Sequence, residues 1–212
     1  MIAREGYIIL IIAALLLMFS CLWHWISPGK ISLFSTSLLA VFTLFSFYFF
    51  RDPQRTIPAG DNLMVAPGDG RIMEILTIED PRLGQVNRIS IFLSVFNVHR
   101  QRIPIAAQVT HIERQDGKYL AAFKSGASTE NAYVRTDLES AYGSVAVKQI
   151  VGWIARRIVC DLTPGSSVQK GENLGFIRFG SRVDLYVPLV CILTIQPGDV
   201  VRGGETIIGR FE

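Results

Sequence analysis

The fold of this chain is decided near its N terminus, where the stretch YIILIIAALLLMFSCLWHWI runs from Tyr7 to Ile26. It contains no Asp, Glu, Lys or Arg and, at about twenty residues, is long enough to cross the hydrocarbon core of a bilayer. A cleaved signal peptide is the alternative, but its apolar part usually spans only ~7 to 15 residues and ends at a small-residue cleavage site. No such site follows here, so the sequence predicts a transmembrane helix.

A second apolar run, Ile31 to Phe50, follows the turn Ser27-Pro-Gly-Lys30. Two helices joined by so short a turn must be antiparallel neighbours. Arg4 precedes the pair and Arg51 and Arg55 follow it, against a single lysine in the turn. The positive-inside rule therefore predicts that both ends of the hairpin, and the domain after it, are cytoplasmic.

The chain thus divides into a membrane-anchoring segment, residues 1–55, and a second domain, residues 56–212. Of the 21 Lys and Arg and 18 Asp and Glu, only three lie in the first fifty positions. The net charge of +3 is spread without a basic block, which gives no reason to expect nucleic acid as a partner. Three well-separated cysteines, none in a C-x-x-C pair, indicate neither a disulfide framework nor a zinc site.

Six β-rich segments, cut by Gly, Pro, Asn and Asp, make up much of the second domain. They contain many Val and Ile or alternate apolar and polar residues, and none has a sustained helical stripe. We therefore predict a mainly β fold, a sandwich or a flattened barrel. The segments are residues 71–76, 88–96, 106–113, 133–138, 144–151 and 183–195.

A repeated skeleton, P-G-x(2)-V-x(2)-G-E, begins at Pro164 and again at Pro197. It resembles the turn-strand-turn unit of lipoyl and biotinyl carrier barrels. Those carriers present a modifiable lysine in a tight hairpin, and neither copy here has a Met-Lys or Asp-Lys at such a place. We interpret the repeat as architecture rather than as a carrier site.

The second domain has two histidines, His99 and His111, so any histidine-dependent step has few candidates. His99 follows a strand-like run, in a polar cluster of the kind where sites are often built, whereas His111 lies in an alternating strand. Asp69 stands between two glycines, which also fits a plain Asp-Gly turn. There is no G-x-S-x-G elbow, so the usual serine hydrolase template does not fit.

Gly-Ser dipeptides occur at residues 143–144, 165–166 and 180–181, and only the third lies among charged residues. Most such pairs are turns. A serine hydroxyl can nevertheless attack the carbonyl of the preceding residue when the backbone is strained, and a glycine there removes the Cβ that would obstruct it. Elimination from the resulting ester breaks the chain and leaves a pyruvoyl group, a ketone that acts as an electron sink for decarboxylation.

Four ordered motifs together resemble the short form of the phosphatidylserine decarboxylase proenzymes, from about Phe49 to the C terminus. The motifs are Phe49-Phe-Arg-Asp-Pro-Gln-Arg55, Ala66-Pro-Gly-Asp-Gly70, Ser94-Val-Phe-Asn-Val-His-Arg-Gln-Arg-Ile-Pro104 and Phe179-Gly-Ser-Arg-Val-Asp184. A further family segment, S-x-x-N-E-R, is matched only at Ser128 and Asn131, and we assign it no role.

The resemblance implies that Asp69, His99 and Ser181 drive cleavage between Gly180 and Ser181. Ser181 becomes the pyruvoyl cofactor at the head of an α chain, residues 181–212, and residues 1–180 form the β chain. No metal and no pyridoxal phosphate are implied. Long-form enzymes have an H-x-x-H motif at this segment, and this chain has Arg102 in place of the second histidine. Either His99 alone then serves both maturation and turnover, or Arg102 or a water molecule takes over part of the proton transfer.

The implied reaction converts phosphatidylserine to phosphatidylethanolamine and CO2 at the inner cell membrane, with the catalytic domain on the cytoplasmic side. Arg51 and Arg55 are candidate contacts for lipid phosphate. The expected partners are the phospholipid substrate, the membrane and the protein's own α and β chains, and a homo-oligomer is left open. Two alternatives remain, a non-catalytic membrane-anchored carrier or scaffold barrel, and a membrane-anchored serine hydrolase that uses Ser181.

Overall fold

Two compact units make up the structure, Met1–Gln54 and Arg55–Glu212. The computed structural model describes residues 1–121, 126–153, 157–178 and 181–212. The first unit is helical and the second is mainly β, so the predicted fold class is confirmed at that level.

The first unit is a helical hairpin. After a 3-10 turn over Arg4–Gly6, helix α1 spans Tyr7–Ile26 and helix α2 spans Lys30–Phe49. By length and composition both helices are apolar enough to cross a membrane. Most of their large apolar side chains are exposed to the surroundings. Exposed apolar surface of this extent suggests membrane association.

Polar side chains join the two helices along their shared face. Ser20 Oγ lies 2.8 Å from Thr36 Oγ1, and His24 Nδ1 lies 2.8 Å from Ser32 Oγ. Between apolar helices in lipid, such hydrogen bonds and small side chains supply much of the association. His24 thus contributes to the closure of the hairpin near its turn.

The second unit is built from short and medium strands with one brief helix. Its described elements are β1 (Leu63–Val65), β2 (Gly70–Asp80), β3 (Gly84–Leu93), β4 (Arg100–Arg102), β5 (Ala107–Gln115), α3 (Ala127–Glu130), β6 (Tyr133–Ser140), β7 (Gly143–Ile150), β8 (Ile158–Val159), β9 (Ser167–Val168), β10 (Asn173–Ile177), β11 (Ser181–Pro188), β12 (Ile192–Leu193), β13 (Val200–Val201) and β14 (Ile207–Arg210). Each of the six predicted β segments overlaps at least one of these strands, but residues 94–96 and 189–191, which were predicted as strand, lie outside them.

A curled eight-stranded antiparallel sheet is the main layer, in the order β13-β2-β3-β11-β7-β6-β5-β9. Two three-stranded sheets, β1-β14-β12 and β4-β10-β8, accompany it. One apolar core joins all three sheets, because residues such as Ile91, Leu185, Ile208 and Leu174 belong to the same buried cluster. The small sheets therefore cover one face of the large sheet, and β11 runs through its middle.

The two copies of the repeated skeleton form turns with equivalent contacts. Gly171 and Gly204 both have positive φ, +83° and +79°, and a Cβ on either would meet the side chain of Ile57. The Gly171 N–H donates to the Ile103 carbonyl and the Gly204 N–H to the Ala66 carbonyl, each at 2.8 Å. Glycine is therefore needed at both turns. The similarity of the repeat to lipoyl and biotinyl carrier barrels remains a prediction.

Candidate active site

Ser181 is the first residue of β11 and is fully buried. Across the ladder it pairs with Leu93, the last residue of β3. Its hydroxyl has no hydrogen-bond partner among the residues that the structure describes. A buried polar atom without a partner is uncommon, and a hydroxyl kept for a reaction is one reason to retain it.

The serines of the other two Gly-Ser pairs have ordinary structural roles. The Ser144 hydroxyl donates to the Glu139 carboxylate, and the Ser166 hydroxyl donates to the Thr163 carbonyl at 2.7 Å. Both serines are partly exposed and follow glycines in turns with positive φ. Of these three serines, only Ser181 is buried with a hydroxyl that has no partner among the described residues. Gly180, together with Phe179, lies outside the described residues.

Side chains alternate along β11, so Arg182 and Asp184 point to the face opposite Ser181. Arg182 is 1% exposed and donates to Asp184 at 2.6 Å, to Ser90 at 2.6 Å and to Glu74 at 2.9 Å. Burial alone would lower the pKa of Arg182, but the charge of Asp184 and the hydrogen bonds to it raise that pKa above its ordinary value. Arg182 therefore stays charged and fixes the strand that begins at Ser181.

Ser128 extends this charged network from helix α3. Its hydroxyl donates to the second carboxylate oxygen of Asp184 at 2.7 Å, and its carbonyl accepts a 2.8 Å hydrogen bond from Lys148 Nζ. Burial lowers the pKa of Lys148, which the charge of Asp184 partly offsets. Ser128 thus helps to hold β11 in place, a structural role that the partial S-x-x-N-E-R match did not indicate.

His99 lies in the segment between β3 and β4 and is fully buried. Its Nδ1 is 2.9 Å from the Asn97 carbonyl oxygen. A carbonyl only accepts, so Nδ1 carries the proton in this hydrogen bond. In neutral His99 the other ring nitrogen, Nε2, is then the one that can accept a proton.

Two chain segments bring His99 and Ser181 into the same region. One runs from Leu93, the pairing partner of Ser181, through the following loop to His99. The other runs from Ile177, whose N–H donates to the His99 carbonyl at 3.2 Å, to Ser181. Both segments are only a few residues long, so the chain keeps His99 and Ser181 in the same part of the β unit.

Two buried glutamines support the backbone of His99, and sequence reasoning missed both. Gln101 Nε2 donates to the His99 carbonyl at 2.9 Å, and Gln149 Nε2 donates to Gln101 Oε1 at 2.9 Å. A Cβ at Gly175 would lie 2.7 Å from Gln149 Nε2 and 2.3 Å from the Val159 carbonyl oxygen, so glycine is required there. The glutamines are separated by 48 positions, which hides their contact from sequence inspection.

Asp69 is bound by Arg55 and by the backbone rather than by His99. One nitrogen of Arg55 lies 2.8 and 2.9 Å from the two Asp69 carboxylate oxygens, and the Gly203 N–H donates to Oδ1 at 2.8 Å. Arg55 also donates to Glu205 at 3.2 Å, and its side chain is 7% exposed. Arg55, a predicted contact for lipid phosphate, therefore makes internal ion pairs in this structure.

The Asp69 turn packs directly against the strands that carry Ser181. A Cβ at Gly68 would contact Leu93 at 3.6 Å and Val183 at 3.8 Å. At Gly70 a Cβ would lie only 2.2 Å from the Phe92 carbonyl oxygen, so no side chain fits there without separating β2 from β3. The two glycines thus allow the turn to approach the site closely.

Glu205 links the second repeat turn to the same cluster. Its own burial favours the neutral form, but a hydrogen bond from the Thr56 N–H and then one from Arg55 hold the pKa of Glu205 below its usual range. The carboxylate therefore stays ionised at neutral pH and keeps Arg55 in position beside Asp69.

The remaining candidates lie in different surroundings. Arg102 donates from its backbone to the Pro67 carbonyl at 2.8 Å and from its guanidinium to the Gly171 carbonyl at 3.2 Å. His111 is exposed on β5, opposite Asp137, and no described contact joins it to the site. Arg51, in the first unit, lies over the Tyr48 ring at 3.9 Å.

Comparison with known proteins places the chain in a family. The family profile described as "Phosphatidylserine decarboxylase" matches residues 42–209. The chain belongs to the phosphatidylserine decarboxylase family. A phosphatidylserine decarboxylase proenzyme of Chlorobium chlorochromatii is 38% identical over 212 residues, covering all of both chains. The Ehrlichia chaffeensis proenzyme of the same name is 43% identical over 213 residues, covering 99% of this chain and 91% of that one.

As a phosphatidylserine decarboxylase family member, the chain carries all three candidate residues inside the matched region. Within the described residues, no group of three or more His, Cys, Asp or Glu side chains is arranged to hold a metal ion. The three candidate residues supply a buried hydroxyl, a buried imidazole and an arginine-bound carboxylate.

Proposed function

We propose that this chain is a phosphatidylserine decarboxylase that cleaves itself between Gly180 and Ser181 and uses the resulting pyruvoyl group. One observation carries the proposal. Of the three serines that follow a glycine, only Ser181 is fully buried with a hydroxyl that has no partner among the described residues. Membership of the phosphatidylserine decarboxylase family indicates the reaction, decarboxylation, for which this hydroxyl would be used.

Maturation begins when Ser181 Oγ attacks the Gly180 carbonyl carbon. An ester forms, the amide C–N bond breaks, and the hydroxyl proton moves to the released Ser181 nitrogen. Loss of the Ser181 α-proton then expels the Gly180 carboxylate and leaves an enamine, which tautomerises and reacts with water to give ammonia and the pyruvoyl ketone. Every atom comes from the chain and one water, so no external cofactor enters.

His99 is the base in this proposal. Because its Nδ1 proton is held by the Asn97 carbonyl, Nε2 is the nitrogen that takes up the hydroxyl proton. Burial of both residues excludes bulk water, which strengthens the interactions of the charges that develop during proton transfer. The Gln101–Gln149 pair keeps the His99 backbone in position.

Asp69 acts together with Arg55 in this scheme. Its two oxygens accept hydrogen bonds from Arg55 and from the Gly203 N–H, so its main task is to place the turn that packs on Leu93 and Val183.

The environment of Ser181 fits a pyruvoyl group. The serine becomes the first residue of a new chain, already paired in the central strand and buried, so the group would be held by β11 and its neighbours. When formed, a pyruvoyl group supplies an electron sink for decarboxylation of an amino acid. In this proposal His99 returns a proton after CO2 has left.

The helical hairpin ties this chemistry to a lipid substrate, since the chain leaves α2 a few residues before the β unit begins. We place the β unit on the cytoplasmic side of the inner membrane, from the arginines that flank the hairpin. Protease added to spheroplasts should therefore leave the β unit intact and digest it only after lysis. Digestion in intact spheroplasts would reverse the orientation.

The activity is tested with phosphatidylserine labelled at the serine carboxyl carbon. Purified protein in detergent micelles should release labelled CO2 and form phosphatidylethanolamine in equal amounts. A carrier or scaffold barrel would release none. A serine hydrolase would instead liberate fatty acid or head group and would be inactivated by acylating reagents, and either result would overturn the proposal.

A further inference from the structure

Residues of seven strands form one continuous row across the large sheet, one position from Ser181. Each member of the row pairs with the next, from β13 through β2, β3, β11, β7 and β6 to β5. The members are Val200, Arg71, Phe92, Arg182, Ile150, Tyr133 and Gln115. Because Arg182 directly follows Ser181, the row marks one end of the sheet, which we call the Ser181 end.

Exposed aromatic side chains lie in the loops that leave the sheet at the Ser181 end. Phe96 comes three positions after β3 ends and is 63% exposed. Trp153 comes three positions after β7 ends and is 72% exposed. Tyr119, four positions after the end of β5, is exposed as well. An extended chain advances at most ~3.6 Å per residue, so all three aromatic residues stay close to this end of the sheet.

The other exposed residues at the Ser181 end fit a lipid surface. Val200 and its partner Arg71 are exposed, and so is Arg157, whose carbonyl accepts a hydrogen bond from the Arg178 N–H three positions before Ser181. Aromatic rings and arginines combine an apolar body with a polar tip and are typical of the head-group region of a bilayer. Asp116 is exposed at the same end and offsets part of the positive charge, so insertion of the aromatic rings should contribute more than attraction to anionic lipid.

The chain itself keeps the Ser181 end within reach of a bilayer. Arg55 comes six positions after Phe49, the last residue of helix α2. Arg55 is bound to Asp69, which directly precedes Gly70, the first residue of β2 at this end. Six residues of extended chain span about 20 Å at most. A bilayer crossed by α2 is therefore the surface to which this end of the β unit is tethered.

The opposite end of the same central strand offers a control. Strand β11 has eight residues and ends at Pro188, about 23 Å from Ser181 along the strand. Val190, two positions later, is 70% exposed. It is therefore as accessible as the aromatic residues, but it lies at the end of the sheet away from Ser181.

We propose that the β unit docks on the lipid surface through the Ser181 end, with Phe96 and Trp153 inserted among the lipid head groups. The proposal rests on the proposed function, which makes a phospholipid the substrate. Docking in this way brings the end of the sheet that carries Ser181 to the bilayer, which shortens the path of a phospholipid out of the membrane.

Tryptophan fluorescence tests the docking directly on the full chain. The protein has three tryptophans, and Trp23→Phe with Trp25→Phe leaves Trp153 as the one that emits. In phosphatidylcholine nanodiscs, lipids brominated near the head group should quench most of the Trp153 emission, and acrylamide in the water should quench little. The control adds Trp153→Phe and Val190→Trp, and its tryptophan should show the reverse pattern.

Activity provides a second readout. Trp153→Ser and Phe96→Ser each remove an apolar ring that would be buried in lipid, so each should lower CO2 release from phosphatidylserine in nanodiscs ~3-fold to 10-fold. Release from a short-chain phosphatidylserine dissolved as monomers should be unchanged, and self-cleavage should proceed as in wild type. Val190→Ser should alter neither substrate's turnover.

The outcomes separate this proposal from the proposed function, since the quenching pattern does not depend on activity. Strong quenching of Trp153 by acrylamide would show that it stays in water and would overturn the proposal. Protection from acrylamide without quenching by brominated lipid would mean that protein, such as a second copy of the chain, covers this end, and would also overturn it. If the quenching agrees but wild-type protein releases no CO2, the proposed function fails while the docking stands.

Discussion

Ser181→Ala should remain a single chain of 212 residues and release no CO2. Alanine has no hydroxyl to attack the preceding carbonyl and no leaving group for elimination, so neither the ester nor the ketone can form. The change removes one oxygen atom from a buried position where the described residues give it no hydrogen bond. Folding should therefore be preserved, and thermal unfolding measures this directly.

Three further serine variants sharpen this result. Ser144→Ala and Ser166→Ala alter the other Gly-Ser pairs and should be cleaved at the wild-type rate, because those hydroxyls only donate to neighbouring groups. Ser181→Thr keeps the hydroxyl and should cleave slowly, leaving a ketone one methylene longer. Normal cleavage of Ser181→Ala would show that another residue is the nucleophile.

His99→Gln should slow self-cleavage by ~10² to 10⁴, the usual effect of losing a general acid or base. Glutamine keeps an N–H donor for the Asn97 carbonyl but has no basic nitrogen, so the change separates proton transfer from packing. Cleavage is followed on denaturing gels after synthesis in a cell-free system, and thermal unfolding is measured on the purified variant.

His111→Ala is the matched control, because His111 is the other histidine of the β unit and is exposed on β5. It should be cleaved and active at wild-type rates. A cleavage defect in His111→Ala together with normal cleavage of His99→Gln would reassign the base. If the thermal unfolding curve shows that His99→Gln does not fold, His99→Asn is the second variant, since it also removes the basic nitrogen.

Much of the fold was predictable because its signals are local. The two apolar runs end at a Ser-Pro-Gly turn, and helices α1 and α2 begin and end close to the predicted residues. The longer strands carry Val and Ile at period two, which burial on one sheet face explains. Strands of two or three residues, such as β8 and β13, carry no period and were not predicted.

The site was only partly predictable, because its decisive contacts link distant positions. Ser181 and His99 were chosen from the sequence, but their support by Arg182, Gln101 and Gln149 depends on sheet pairing. Asp69 meets Arg55 across 14 positions and Gly203 across 134. The repeated Gly-Glu turn was visible in the sequence. Nothing in the local sequence indicated that its second copy would hold Asp69, through the Gly203 N–H and through Glu205 and Arg55.

The most direct test of self-cleavage is intact-mass analysis of active, purified protein, with and without borohydride in the presence of phosphatidylserine. We expect two chains, residues 1–180 and residues 181–212, the second starting with a pyruvoyl group and therefore lacking a free amine. Borohydride should add the substrate covalently to that terminus and abolish activity. An active protein that consists of one uncut chain, or whose second chain begins with an unmodified serine, would contradict the proposed chemistry.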